Sequence, residues 1–143
     1  GCRTPMTWEN DSIHGGFSKV DPWLPVKEKQ LAKSANLQKR NANSVLNFYK
    51  KMIAFRRIDA ALSKGNQTFI SEENDLLMFS REYQNHNTLC IFNLNKEKII
   101  WSKPDNLSVK NSLSSGIKIK DNHIEFSKFA FMIIQGFKGD LEN

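Results

Sequence analysis

The first 26 residues constrain this chain more than any other stretch. It opens Arg3-Thr4-Pro5-Met6-Thr7-Trp8, continues through Gly15-Gly16-Phe17-Ser18, and reaches Pro22-Trp23-Leu24-Pro25-Val26. Three prolines, two tryptophans and a Gly-Gly pair fall where neither a 3.6-residue nor a two-residue period runs. Residues 1 to about 35 therefore read as one long, shaped loop, with a short helical turn over Lys27–Lys33. Loops of this length inside a compact domain are uncommon and usually functional. A guanidinium set among aromatics and prolines offers a rigid fork of donors. That suits a polar, ring-shaped ligand and makes Arg3 the first candidate binding residue.

After the loop the pattern turns helical. Val45, Leu46, Tyr49, Met52, Ile53 and Arg56 follow i, i+3, i+4 spacing, and Lys50, Lys51 and Arg57 take the other side. Ser44 is placed to cap this helix over 44–58, and its basic C-terminal end suits the helix dipole. A second turn at Ala60–Leu62 stops at Gly65. Beyond Gly65 the pattern becomes short strands: Gln67–Ile70, Leu76–Tyr83, Thr88–Leu94, Ile99–Ser102, Ser108–Leu113, His123–Phe126 and Ala130–Gly136. Asn85-His86-Asn87 reads as a hairpin turn. Strands at this spacing predict an antiparallel sandwich with Leu89, Ile91, Phe92, Phe131, Ile133 and Ile134 in its core. The fold class is α+β. Residues 1–65 form the loop-and-helix part, 66–138 a small antiparallel β-sandwich, and 139–143 a polar tail.

Charge separates the halves. Residues 1–65 hold 12 Lys and Arg against 5 Asp and Glu, and 66–143 hold 9 against 10, so the whole excess of +6 lies in the first half. The aromatics of the helix fall on its apolar stripe, away from the basic residues, which argues for a solvated face and against a nucleic-acid surface. No run of 18 apolar residues exists, so no membrane span is expected. Cys2 and Cys90 lack a metal or redox spacing, and free thiols in a reducing, cytoplasmic setting fit them better than a disulfide.

Few side chains are arranged for chemistry. Glu9, Asp11 and Asp21 lie in the loop, and Glu72, Glu73 and Asp75 in a turn. None has the apolar setting that raises a carboxyl pKa for proton donation, so no catalytic residue is assigned. His14, His86 and His123 share no ligand spacing, and no metal or cofactor is expected. Trp8 and Trp23 either line a site or anchor the loop, and anchoring is the reading preferred for both.

Arg-Thr-Pro-Met-x-Trp at residues 3–8, Gly-Phe-Ser at 16–18 and Pro-Trp-Leu-Pro-Val at 22–26 resemble the late active-site loop of α-glucosidases in glycoside hydrolase family 13, the α-amylase superfamily. The oligo-1,6-glucosidase and dextran-glucosidase branch is the nearest in pattern. Residues 43–57 resemble the last helix of that family's (β/α)8 barrel, and Ala60-Ala61-Leu62-x-x-Gly65 the turn after it. The resemblance implies a C-terminal portion of a retaining, exo-acting enzyme that removes terminal α-linked glucose from oligosaccharides. Its nucleophilic Asp, acid/base Glu and third Asp would precede Gly1, leaving these residues inactive alone. It implies that Arg3 recognises the terminal sugar, with Trp8 a second candidate, and that the helix lies on the sandwich if it stands without a barrel. Thr7 departs from the Gln common at its position, near the aglycone side of the site. The same residues are compatible with a transglycosylase or isomerase of the superfamily, such as a sucrose-isomerising or trehalose-forming enzyme. A non-catalytic carbohydrate-binding or interaction module is the third reading.

Overall fold

A computed structural model describes residues 3–71 and 75–137. The chain divides into two compact units, one up to Ala54 and one from Phe55 onward.

The first unit is loop and helix. A single 3-10 turn spans Ile13–Gly16, followed by α1 (Glu28–Leu31), α2 (Ala35–Arg40) and the start of α3 (Val45–Ile58). α2 begins where the loop read over residues 1 to about 35 ends. Ser44 begins α3 as expected: its Oγ accepts the Asn47 N–H at 3.2 Å and donates to the Gln38 carbonyl at 2.7 Å. Asn47 donates through Nδ2 to the carbonyls of Gln38, Lys39 and Asn41 at 3.0, 3.2 and 2.8 Å. The orphan groups of two helix ends are thus satisfied by each other's side chains. α3 is little covered. None of its 14 residues is buried, and the stripe of Val45, Phe48, Tyr49 and Ile53 stays exposed.

The second unit holds α4 (Ala60–Lys64) and six strands: β1 (Asn66–Ser71), β2 (Leu76–Tyr83), β3 (His86–Asn93), β4 (Ile99–Ser102), β5 (Ser112–Ile119) and β6 (His123–Gln135). They form one hydrogen-bonded antiparallel sheet in the order β1-β2-β3-β6-β4, with β5 also on β6. The reason lies in β6. The two short strands expected at 123–126 and 130–136 are one strand of 13 residues. Its first part pairs with β4 and β5, and its last part with β3 and β5. The turn between β2 and β3 is Gln84-Asn85, one residue earlier than expected, with Tyr83 opposite His86. β5 begins at Ser112 where a strand over 108–113 was expected, since its Ser-Ser-Gly run hides the alternation of Leu113, Ile117 and Ile119.

One face of the sheet carries the core. Leu76, Met78, Leu89, Ile91, Ile124, Phe126, Met132 and Ile134 pack there with Trp101, Leu107 and Phe137. Phe92 and Phe131, expected in that core, are each one residue out of phase with it and point to the opposite face. There they continue a ladder from the exposed Phe69 and the half-buried Phe79, with successive ring centroids 6.2, 5.8 and 6.3 Å apart.

Candidate functional site

The site is built in the first unit, where backbone hydrogen bonds strap the irregular stretches together. Gly15 accepts at one carbonyl from both Trp8 N–H (2.8 Å) and Glu9 N–H (3.0 Å). Thr7 and Trp8 accept at their carbonyls from the amides of Ala35 and Asn36. Side chains reinforce the strap. Gln30 donates from Nε2 to Thr4 Oγ1 at 2.7 Å, and its carbonyl accepts from Thr7 Oγ1 at 2.9 Å. Asn36 donates from Nδ2 to Glu9 and Asn10. Residues 4–10 are therefore held on both flanks although they form no regular element.

This strap sorts its side chains. Pro5 and Thr7 face inward, Thr7 at 5% exposure, while Met6 and Trp8 leave about half their surface outside. Thr7 thus serves packing, and no part of it is offered to a ligand. Arg3 is exposed, and its guanidinium carbon lies 5.1 Å from the centroid of the Trp23 ring. Trp23 is 75% exposed. It is the surface on which the Arg3 cation rests, an arrangement that orients the guanidinium without consuming its donors. Trp8 is 52% exposed.

His14 was unconnected to any motif in the sequence, yet it meets the same loop. Its Nε2 stands 3.3 Å from Asp21 Oδ1, two residues before Trp23. His14 adopts φ 47, and Gly15 and Gly16 follow at φ 65 and 70. The imidazole and carboxylate rim an open cleft of about 340 Å³ whose apolar lining includes Pro22, Pro25, Val26 and Leu31. The His-Gly-Gly tripeptide was the available signal, because consecutive left-handed residues aim the flanking side chains.

The loop carboxylates do not converge. Glu9 is tied to Asn36, Asp21 to His14, and Asp11 lies in solvent. Glu72 and Glu73 fall outside the described residues, as does Cys2; Cys90 is a buried free thiol. Among the described residues no group of three His, Cys, Asp or Glu could hold a metal ion, and no helix is long and apolar enough to cross a membrane.

Residues 1–65 match the model of the α-amylase catalytic domain. A probable α-glucosidase of Rhizobium meliloti (strain 1021) is 39% identical over 97 residues, 68% of this chain and 17% of the relative. A probable oligo-1,6-glucosidase of Bacillus subtilis (strain 168) is 33% identical over 106 residues, 73% of this chain and 19% of the relative. A solved trehalulose synthase matches with a TM-score of 0.78 at 25% identity, over 93% of this chain and 25% of its own. The chain spans less than a fifth of the length of these curated relatives. Residues 1–65, which carry Arg3, Pro5, Trp8 and Trp23 of the motif, belong to the α-amylase catalytic-domain family.

Proposed function

We propose that these residues are part of a retaining, exo-acting α-glucosidase that hydrolyses terminal α-linked glucose from oligosaccharides, with Arg3 reading the hydroxyls of the terminal sugar. The observation that carries the reading is the exposed guanidinium resting on Trp23 in a loop matched by relatives named α-glucosidase and oligo-1,6-glucosidase. A permanent cation with five donors binds vicinal hydroxyls, and a neighbouring ring limits its rotamers. Trp8 adds an exposed indole on the same strap. Retention needs two carboxyl groups about 5–5.5 Å apart. The loop carboxylates engaged by Asn36 and His14 are not offered for that role. The nucleophile and acid/base are therefore assigned to sequence that these 143 residues do not include, and they turn over no substrate alone. Residues 1–65 are read as the closing loop and helix of the barrel, and 66–138 as its C-terminal β-domain.

The experiment exchanges this chain for the matching segment of the Rhizobium meliloti relative and assays an aryl α-glucoside. The chimera should release glucose with its anomeric configuration kept, and Arg3→Ala in it should lower kcat/KM by about 100-fold or more while the melting temperature holds. Turnover by the 143 residues alone, or an Arg3→Ala chimera of full activity, would overturn the assignment. The likeness to a trehalulose synthase, solved also with its substrate sucrose, favours a second reading, isomerisation of sucrose. Sucrose given to the chimera separates the two: hydrolysis yields free glucose and fructose, and isomerisation a new disaccharide.

A further inference from the structure

We propose that the second unit carries its own binding site for neutral sugar rings, an aromatic platform formed by Phe129 over the loop that joins β3 to β4. The starting observation is backbone strain. Phe129 has φ 55 within β6, and Asp75, which lines the same cleft, has φ 60. A bulky aromatic in the left-handed region is a true outlier, and it persists only where the surroundings over-determine it.

Asn95 supplies that determination. Its carbonyl accepts the Phe129 N–H at 3.2 Å, and its Nδ2 donates to the Asp75 carbonyl at 3.2 Å. Its own N–H donates to Oδ1 of Asn93 at 2.8 Å. Asn93 is 1% exposed and donates onward to the carbonyls of Glu97 (2.8 Å) and Ser127 (2.9 Å). Two asparagines thus lock residues 93–97 against the step in β6 at 127–129. The outcome is an apolar ring turned outward: Phe129 stays 61% exposed and Leu94 beside it 63%. Both line an open cleft of about 560 Å³. Phe129 directly precedes the buried Ala130, yet its own phenyl ring stays outward.

The charges of the cleft decide what the platform fits. Asp75 and Glu97 balance Lys96 and Lys98, and Lys98 also lies 3.7 Å from the Glu125 carboxylate. The four lining charges sum to zero, which marks the cleft for neither an anion nor a cation. What remains is the exposed phenyl ring of Phe129 and the side chain of Leu94, set beside amide and charged groups. Its complement is a neutral ring with one apolar face and a hydroxylated edge, a pyranose. A protein partner is disfavoured, because interface cores are depleted in Lys, Glu and Asp, and four of these charged side chains line the cleft. This site lies wholly in the second unit and does not use Arg3, so its failure would leave the preceding proposal standing.

The test is an NMR titration of the complete 143-residue chain, isotopically labelled, with maltotriose and separately with isomaltotriose. We expect saturable shifts of the Phe129 ring and Asn95 side-chain resonances with at least one sugar, at a Kd on the order of 1 mM. Phe129→Gly should abolish those shifts while the melting temperature holds or rises, since glycine accepts this φ freely. Phe129→Trp should retain binding. Absence of saturable shifts with both sugars, or unchanged binding by Phe129→Gly, would overturn the proposal. So would shifts that follow protein concentration without sugar, which would assign the platform to self-association.

Discussion

Asp59 Oδ2 accepts the hydroxyl of Thr88 at 2.6 Å, while Oδ1 of the same carboxylate accepts the Leu62 N–H at 2.9 Å. Asp59 is 6% exposed and Thr88 is 1% exposed. One buried side chain therefore caps α4 and fastens it to β3. Asp59→Ala should lose about 1 kcal/mol of capping and leave the Thr88 hydroxyl without its partner, a further cost of about 1–3 kcal/mol. Urea denaturation should report a total near 2–4 kcal/mol. The Asp59→Ala/Thr88→Val double variant should lose less than the sum of the single changes, because they share a partner. Strict additivity would show that the contact contributes nothing of its own.

Cys90 gives the second unit a pH dependence. Burial pushes its thiol from an ordinary value of 9.0 up to about 12, with Asp59 adding to the rise and Arg81 opposing it. A raised folded pKa means that the thiolate is disfavoured in the native state. The stabilisation is complete below the unfolded pKa and is lost as pH climbs from about 9 toward about 12, at up to about 1.4 kcal/mol per pH unit. Cys90→Ala should therefore flatten the alkaline fall in stability relative to the native chain. Parallel urea midpoints for both chains across that window would test it, and curves of equal slope would refute it.

Much of this molecule was legible where one local rule acts alone. Ser44 capped its helix because the capping geometry needs only the next three residues. β2 and β4 have the boundaries read from their alternation and turns. Legibility failed where a distant partner decides. Phe92 and Phe131 are as apolar as their neighbours Ile91 and Met132; alternation puts each pair on opposite faces, and what packs on those faces decides which one is the core. β6 hides its continuity behind the strained Phe129, whose conformation depends on Asn95 far back in the chain. At the candidate site, Arg3 stood out by its motif. Its seat on Trp23 and the meeting of His14 with Asp21 depend on loop closure, which carries no periodic signature.

The contact between Arg3 and Trp23 can be read directly. A guanidinium 5.1 Å from the ring centroid places the δ-protons of Arg3 in the shielding cone of the indole. Those protons should resonate upfield of a free arginine, and Trp23→Ala should return them to the free value. At an exposed site the contact is worth about 0.5–1 kcal/mol. The variant should therefore melt within a few degrees of the native chain. Unshifted Arg3 protons in the native chain would remove Trp23 from the site.

Gly15 sets the shape of the whole strap. It sits at φ 65, and a Cβ there would lie 2.9 Å from Thr7 Cγ2 and 3.2 Å from a Leu31 methyl. Its carbonyl also receives the amides of Trp8 and Glu9, so any displacement is passed to the residues that follow the Arg3 motif. An L-residue in this conformation costs about 1–2 kcal/mol, and the overlap with Thr7 adds to it. Gly15→Ala should speed hydrogen exchange at Trp8 and Glu9 by about 10-fold or more, since each factor of ten corresponds to about 1.4 kcal/mol. Thr7→Ser removes the crowding methyl and keeps the hydroxyl that Gln30 accepts, so adding it should recover part of that protection. The φ penalty would remain, and full recovery would mean that the steric clash alone fixes glycine at this position. If Gly15→Ala left exchange at both amides unchanged, the carbonyl of residue 15 would not be what holds the motif in place.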